Sequence, residues 1–196
     1  MKRVAALIAG VALVLLTGTG VTLALWSDAE TIEGATVTSG TLTLSIGGQS
    51  QVVIGPLTGL YPGGVVATKV SLDGQASGNL GLDYTLTSAL SDQASASSAL
   101  FGVLDAQLHA QTGSSGSCAA TGTPSGTQIY PADGGFGDLA TLSATGTLVT
   151  AEQDTATTYI CARFTIPAGT PSTIDGIELS GAQTSFDLDI AGEGTR

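Results

Sequence analysis

Thr41-Leu42-Thr43-Leu44-Ser45-Ile46 alternates small polar and aliphatic residues with a period of two. That period places Leu42, Leu44 and Ile46 on one face of a strand and the hydroxyl side chains on the other. The pattern recurs down the chain. Val66, Thr68, Val70 and Leu72 alternate with Ala67, Lys69 and Ser71, and this run is expected to end at Asp73-Gly74, a strong turn dipeptide. Leu82, Tyr84 and Leu86 repeat it, as do Leu104, Ala106 and Leu108, then Leu142 to Val149, then Ile160, Ala162, Phe164 and Ile166, and last Phe186, Leu188 and Ile190. With Gln51 to Ile54 these make about eight strands, which predicts an all-β protein: a single jelly-roll-like β-sandwich of two packed sheets. Loops are expected at Gly47 to Ser50, Gly55 to Gly64, Gly113 to Gly126, Pro131 to Gly137 and Pro167 to Gly176, where Gly and Pro interrupt the alternation. One helix is expected over Asp92 to Leu100, where Ala, Ser and Gln replace β-branched residues.

Upstream of the first strand the composition changes. Lys2 and Arg3 precede an uncharged apolar run from Val4 to Leu16, Gly18 and Gly20 break the helix, and Thr22-Leu23-Ala24 presents a small residue for cleavage. This is the layout of a signal peptide helix, cut after Ala24 to leave Leu25 as the new N-terminus. Retention as a membrane anchor is the other reading, because Val4 to Ser27 carries no charge and is long enough to span about 30 Å of hydrocarbon. The expected organisation is therefore a signal peptide over 1–24, an N-terminal segment over 25–35 and the β-sandwich over 36–196.

The motifs that flank the cleavage point carry a family likeness. Trp26-Ser27-Asp28 fits an aromatic, small polar, Asp motif, and Ala35-Thr36-Val37-Thr38-Ser39-Gly40-Thr41-Leu42-Thr43-Leu44 follows it. A second patch reads Leu57-Thr58-Gly59-Leu60-Tyr61-Pro62-Gly63-Gly64, then Lys69-Val70-Ser71-Leu72, then Gly78-Asn79-Leu80. Over residues 1 to about 88 the chain resembles the TasA and camelysin family, secreted proteins of Gram-positive bacteria processed by a dedicated signal peptidase of the SipW type. Beyond that the likeness is one of composition. The resemblance implies a jelly roll, an extracellular matrix or cell-surface location, and subunits that assemble into fibres when the segment freed by cleavage adds as a strand to the next subunit.

Loss of the signal segment leaves 172 of 196 residues, with three basic against sixteen acidic side chains and a net charge of −13. That length is enough for one domain burying about 70% of its unfolded surface. Nucleic acid and anionic lipid need clustered Lys and Arg that this chain lacks, so neither is an expected partner, and contact with a membrane is confined to the signal peptide before cleavage. Cys118 and Cys161, an even pair in an exported chain, are expected to form one disulfide.

Chemistry finds few residues to work with. His109 is the chain's one histidine, which leaves no His-Glu-x-x-His zinc helix and nominates no serine triad. The zinc machinery of a camelysin-like protease cannot be assembled from these residues, so an enzyme is not expected. His109 reads instead as a strand residue on the face opposite Leu108. Gly135-Phe136-Gly137-Asp138-Leu139-Ala140 fits a loose dinucleotide pattern without a preceding strand or following helix, and Asp133-Gly134 reads as a turn. Asp133 and Asp138 alone fall short of the oxygen set that calcium requires, so no metal and no cofactor is expected.

Trp26 is the only tryptophan, two residues into the processed chain, where nothing nearby in sequence would bury it. Within the family likeness, residues 25–35 are the donor strand, with Leu25, Trp26 and Ile32 as apolar anchors, and the partners are further copies of the chain or other matrix proteins. The alternative is that the segment folds back as the first strand of its own domain. The functional readings are a fibre subunit, a monomeric surface adhesin that binds through its loops, and, least supported, a protease.

Overall fold

The computed structural model describes residues 41–151 and 154–196, together with the backbone of Thr31–Ile32 and Ala35–Thr36. The chain divides into Met1–Ser39 and Gly40–Arg196. In the first unit, β1 (Thr31–Ile32) and β2 (Ala35–Thr36) pair antiparallel. Ala24, Leu25 and Trp26, and with them the cleavage point, lie outside the described residues, and Ile32 is described only through its backbone in β1.

The second unit is a two-sheet antiparallel sandwich, as the alternation requires. Its strands are β3 (Leu42–Ile46), β4 (Gln51–Leu57), β5 (Val65–Ala76), β6 (Gly81–Leu90), β7 (Asp105–Gln111), β8 (Thr127–Tyr130), β9 (Gly137–Asp138), β10 (Ser143–Val149), β11 (Thr155–Thr165), β12 (Thr173–Ile174), β13 (Ile177–Glu178) and β14 (Thr184–Thr195). One sheet runs β10-β6-β14-β4 and the other β3-β5-β11-β7-β8, with β9 also on β7. The eight principal strands, β3 to β7, β10, β11 and β14, alternate between the two sheets, so each connection crosses the core in jelly-roll-like fashion. Leu82, Tyr84 and Leu86 from one sheet face Ile160, Ala162 and Phe164 from the other, all buried. Phe164 meets Phe186 edge-on at 5.2 Å between ring centroids.

The expected helix is α1 (Ser95–Phe101). It begins later than Asp92 because Asp92 accepts from the Ala94 backbone N–H through Oδ1 at 3.0 Å, a turn that sets up the helix without joining it. Leu100 and Phe101 are buried, and Ser97 hydrogen-bonds Thr184 at 2.9 Å.

Three sequence expectations are corrected. β5 does not stop at Asp73-Gly74 but continues to Ala76, with Gly74 paired to Ala156 and to Leu44. The glycine serves packing: a Cβ there would stand 2.5 Å from Leu148 Cδ2 and 2.9 Å from Leu82 Cδ2. β4 likewise runs on into the expected Gly55 to Gly64 loop as far as Leu57, where Gly55 and Pro56 bulge opposite Ser185. Gly55 holds a φ of 122°, which a side chain would not tolerate. Finally, a strand, β8, does precede the Gly135 to Ala140 pattern, but it is followed by a 3₁₀ turn over Leu139–Thr141 rather than the helix that dinucleotide binding requires.

Candidate functional site

His109 on β7 faces away from buried Leu108, yet it is only 6% exposed. The cover is the segment between β7 and β8, which folds back over the outer face of the six-stranded sheet. Cys118 in that segment is bonded to Cys161 on β11, with an S–S distance of 2.07 Å and Cα atoms 5.4 Å apart, so the expected disulfide is present. The Lys69 ammonium donates to the carbonyls of Ser114 and Gly116. Arg163 donates to Ala120 O and to Gln107 Oε1, each at 2.9 Å. Gln111 Nε2 donates to Ser117 O at 2.8 Å and Ser125 O at 3.1 Å. Lys69 is thus committed to holding main chain of the cover, and Arg163 ties the cover at Ala120 to the Gln107 side chain on β7.

Cys161 lies opposite both Lys69 and His109 in the sheet register, so the disulfide, the imidazole and the cation form one row beneath the cover. Among the described residues, neither ring nitrogen of His109 has a hydrogen-bond partner of good geometry. Burial lowers its pKa below the ordinary imidazole value; the Gly126 backbone pulls the other way and the Arg163 charge adds to the lowering.

The acidic residues of the neighbouring turn have structural work. Asp138 Oδ1 accepts from Ala140 N at 2.9 Å, capping the 3₁₀ turn, and Asp133-Gly134 forms the expected turn with Gly134 at a φ of 87°. Asp105 lies opposite Asp138, and its pKa is raised first by burial and then by that neighbouring carboxylate. Among the described residues, no group of three His, Cys, Asp or Glu side chains is placed to hold a metal, and no helix is long and apolar enough to cross a membrane.

What the sandwich does offer is edges and an apolar end. Among the described residues β3, the first strand after residue 40, has β5 on one side and no strand on the other. Open edges of this kind present unpaired N–H and C=O groups to a further strand. Beyond the end of β4, a cleft of about 280 Å³ opens between Leu60, Tyr61 and Pro62 on one wall and Ile166, Pro171 and Leu179 on the other. In sequence Tyr61-Pro62-Gly63-Gly64 reads as loop and as part of the family-like patch; Tyr61, an aromatic beside a Pro-Gly turn, is the signal for the cleft.

Compared with known proteins, the chain matches no family model, and no curated protein is significantly similar to it.

Proposed function

We propose that the chain is a secreted, TasA-like structural subunit of extracellular matrix or cell-surface fibres. It assembles when residues 25–35, released by processing after Ala24, add as a strand to a second copy, the β1–β2 pairing of Thr31–Ile32 with Ala35–Thr36 opening as they do so, with Leu25, Trp26 and Ile32 as the anchors. The observation that carries this reading is the edge of β3, which is open among the described residues and begins at Leu42, shortly after the N-terminal segment ends at Ala35. β-Augmentation needs such an edge and supplies affinity through main-chain hydrogen bonds. The high acidic charge favours a protein partner over nucleic acid or an anionic membrane.

Deleting residues 25–35 from the secreted protein tests the proposal. The expected result is a folded monomer whose melt matches that of the parent and to which a peptide of residues 25–35 binds. A melt lowered by many degrees would instead make the segment the first strand of its own domain.

A further inference from the structure

The cover from Thr112 to Gly126 closes over polar side chains that gain little from it. Beneath it, among the described residues, both ring nitrogens of His109, Gln111 Oε1 and Arg163 Nε are buried without a hydrogen-bond partner of good geometry. All three side chains stand on the same face of β7 and β11. Buried polar atoms left unpaired oppose closure, because water would pair them if the cover lifted. The cover itself has neither a charged residue nor a helix or strand. It is held by the Cys118–Cys161 bond and by the hydrogen bonds that Lys69, Gln111 and Arg163 donate to its carbonyls.

The bond sits in a particular chemical setting. Cys161 on β11 lies directly between Lys69 on β5 and His109 on β7. Residues opposed in this way share a face, with Cβ atoms about 4.5–5.5 Å apart. A thiolate formed at Cys161 would therefore have a positive charge on one side and, on the other, an imidazole whose N–H has no other acceptor. Both favour Cys161 as the sulfur that departs when the disulfide is attacked. Cys118 is the sulfur that can be reached, since it is part-exposed and Cys161 is wholly buried.

We infer that Cys118–Cys161 is a redox-active disulfide and that the segment over 112–126 is the lid it latches. A thiolate of a small or protein dithiol attacks Cys118 Sγ, the S–S bond breaks, and Cys161 leaves as a thiolate beside Lys69 and His109. The second thiol of the reductant then attacks the mixed disulfide, Cys118 leaves in turn, and the reductant ends as a disulfide. Two electrons have passed to the protein, and the two protons pass to Cys118 and to the Cys161–His109 pair. The lid lifts and water reaches the unpaired atoms, while β5, β7 and β11 stay paired strand to strand and keep the sandwich folded.

The test adds dithiothreitol to the full secreted protein and follows released thiols against time, with circular dichroism reporting the fold. Both cysteines are expected to appear as free thiols with the β spectrum unchanged. Diethyl pyrocarbonate should modify His109, the chain's one histidine, only after they have appeared. Thiols released only as the β spectrum is lost would make the bond a plain staple and overturn the inference; this arm needs no variant. His109→Phe keeps a ring but removes the nitrogens, and it should slow reduction on the order of tenfold, the worth of a hydrogen bond to a charged group. His109→Gln restores an N–H and should recover most of the rate. In denaturant the three proteins should reduce alike, because the sheet no longer holds residue 109 beside Cys161. A folded His109→Phe protein that is reduced as fast as the parent, or faster, would overturn the stabilised leaving thiolate.

Discussion

Gly74 sets how closely the two sheets approach near the C-terminal end of β5, where Leu82 and Leu148 occupy the space a side chain would need. Gly74→Val is expected to cost about 1–3 kcal/mol by overpacking, while Gly169→Ala, with nothing within 4 Å of the added carbon, should stay within about 0.5 kcal/mol of the parent. Thermal melts of both variants check the contrast. His109 gives a pH dependence. Its folded pKa lies below the ordinary 6.5, so the unfolded chain takes up the proton more readily. The stability contributed by neutral His109 is complete above about pH 6.5 and is lost as pH falls from there through the folded pKa. The parent should therefore lose more melting temperature between pH 7.5 and pH 5 than His109→Gln does, and parallel slopes would refute the assignment. The alternation around residues 42–46 announced its strand. Asp73-Gly74 misled because the packing partner of Gly74, Leu148, lies far away in sequence, and local turn preference yields to it.

At the scale of elements, the segment from Thr112 to Gly126 owes its position to a few long-range ties rather than to regular structure of its own. The Cys118–Cys161 bond closes a loop of 43 residues. Replacing both cysteines by serine is expected to remove roughly 3–4 kcal/mol on chain-entropy grounds, lowering the melt and letting solvent reach His109. A variant that melts like the parent would show that Lys69 and Arg163 hold the cover unaided. The cysteine pair was legible from its even count. The cover was not, because its carbonyl acceptors at Ser114, Gly116 and Ala120 are backbone groups that no side-chain pattern announces. β8 escaped for a related reason: Thr127-Gln128-Ile129-Tyr130 is too short to show a period, and its pairing to β7 makes it a strand.

At the scale of the molecule, the two-sheet fold was readable from period-two alternation, since each principal strand turns one apolar face to the core, even where β7 and β11 also bury the other beneath the cover. The apolar cleft was not, because Leu60 to Pro62, Ile166, Pro171 and Leu179 meet only when the crossing connections bring three distant loops to one end. A secreted chain of this kind should begin at Leu25, which N-terminal sequencing checks, and recovery of material still carrying Lys2 would contradict processing. The central claim, that this sandwich is a fibre subunit joined through its N-terminal segment, is tested most directly by electron microscopy of the secreted protein at rising concentration beside the form lacking residues 25–35. The account predicts filaments from the intact protein and compact monomers from the deleted form. Compact monomers from both, or filaments from both, would contradict it.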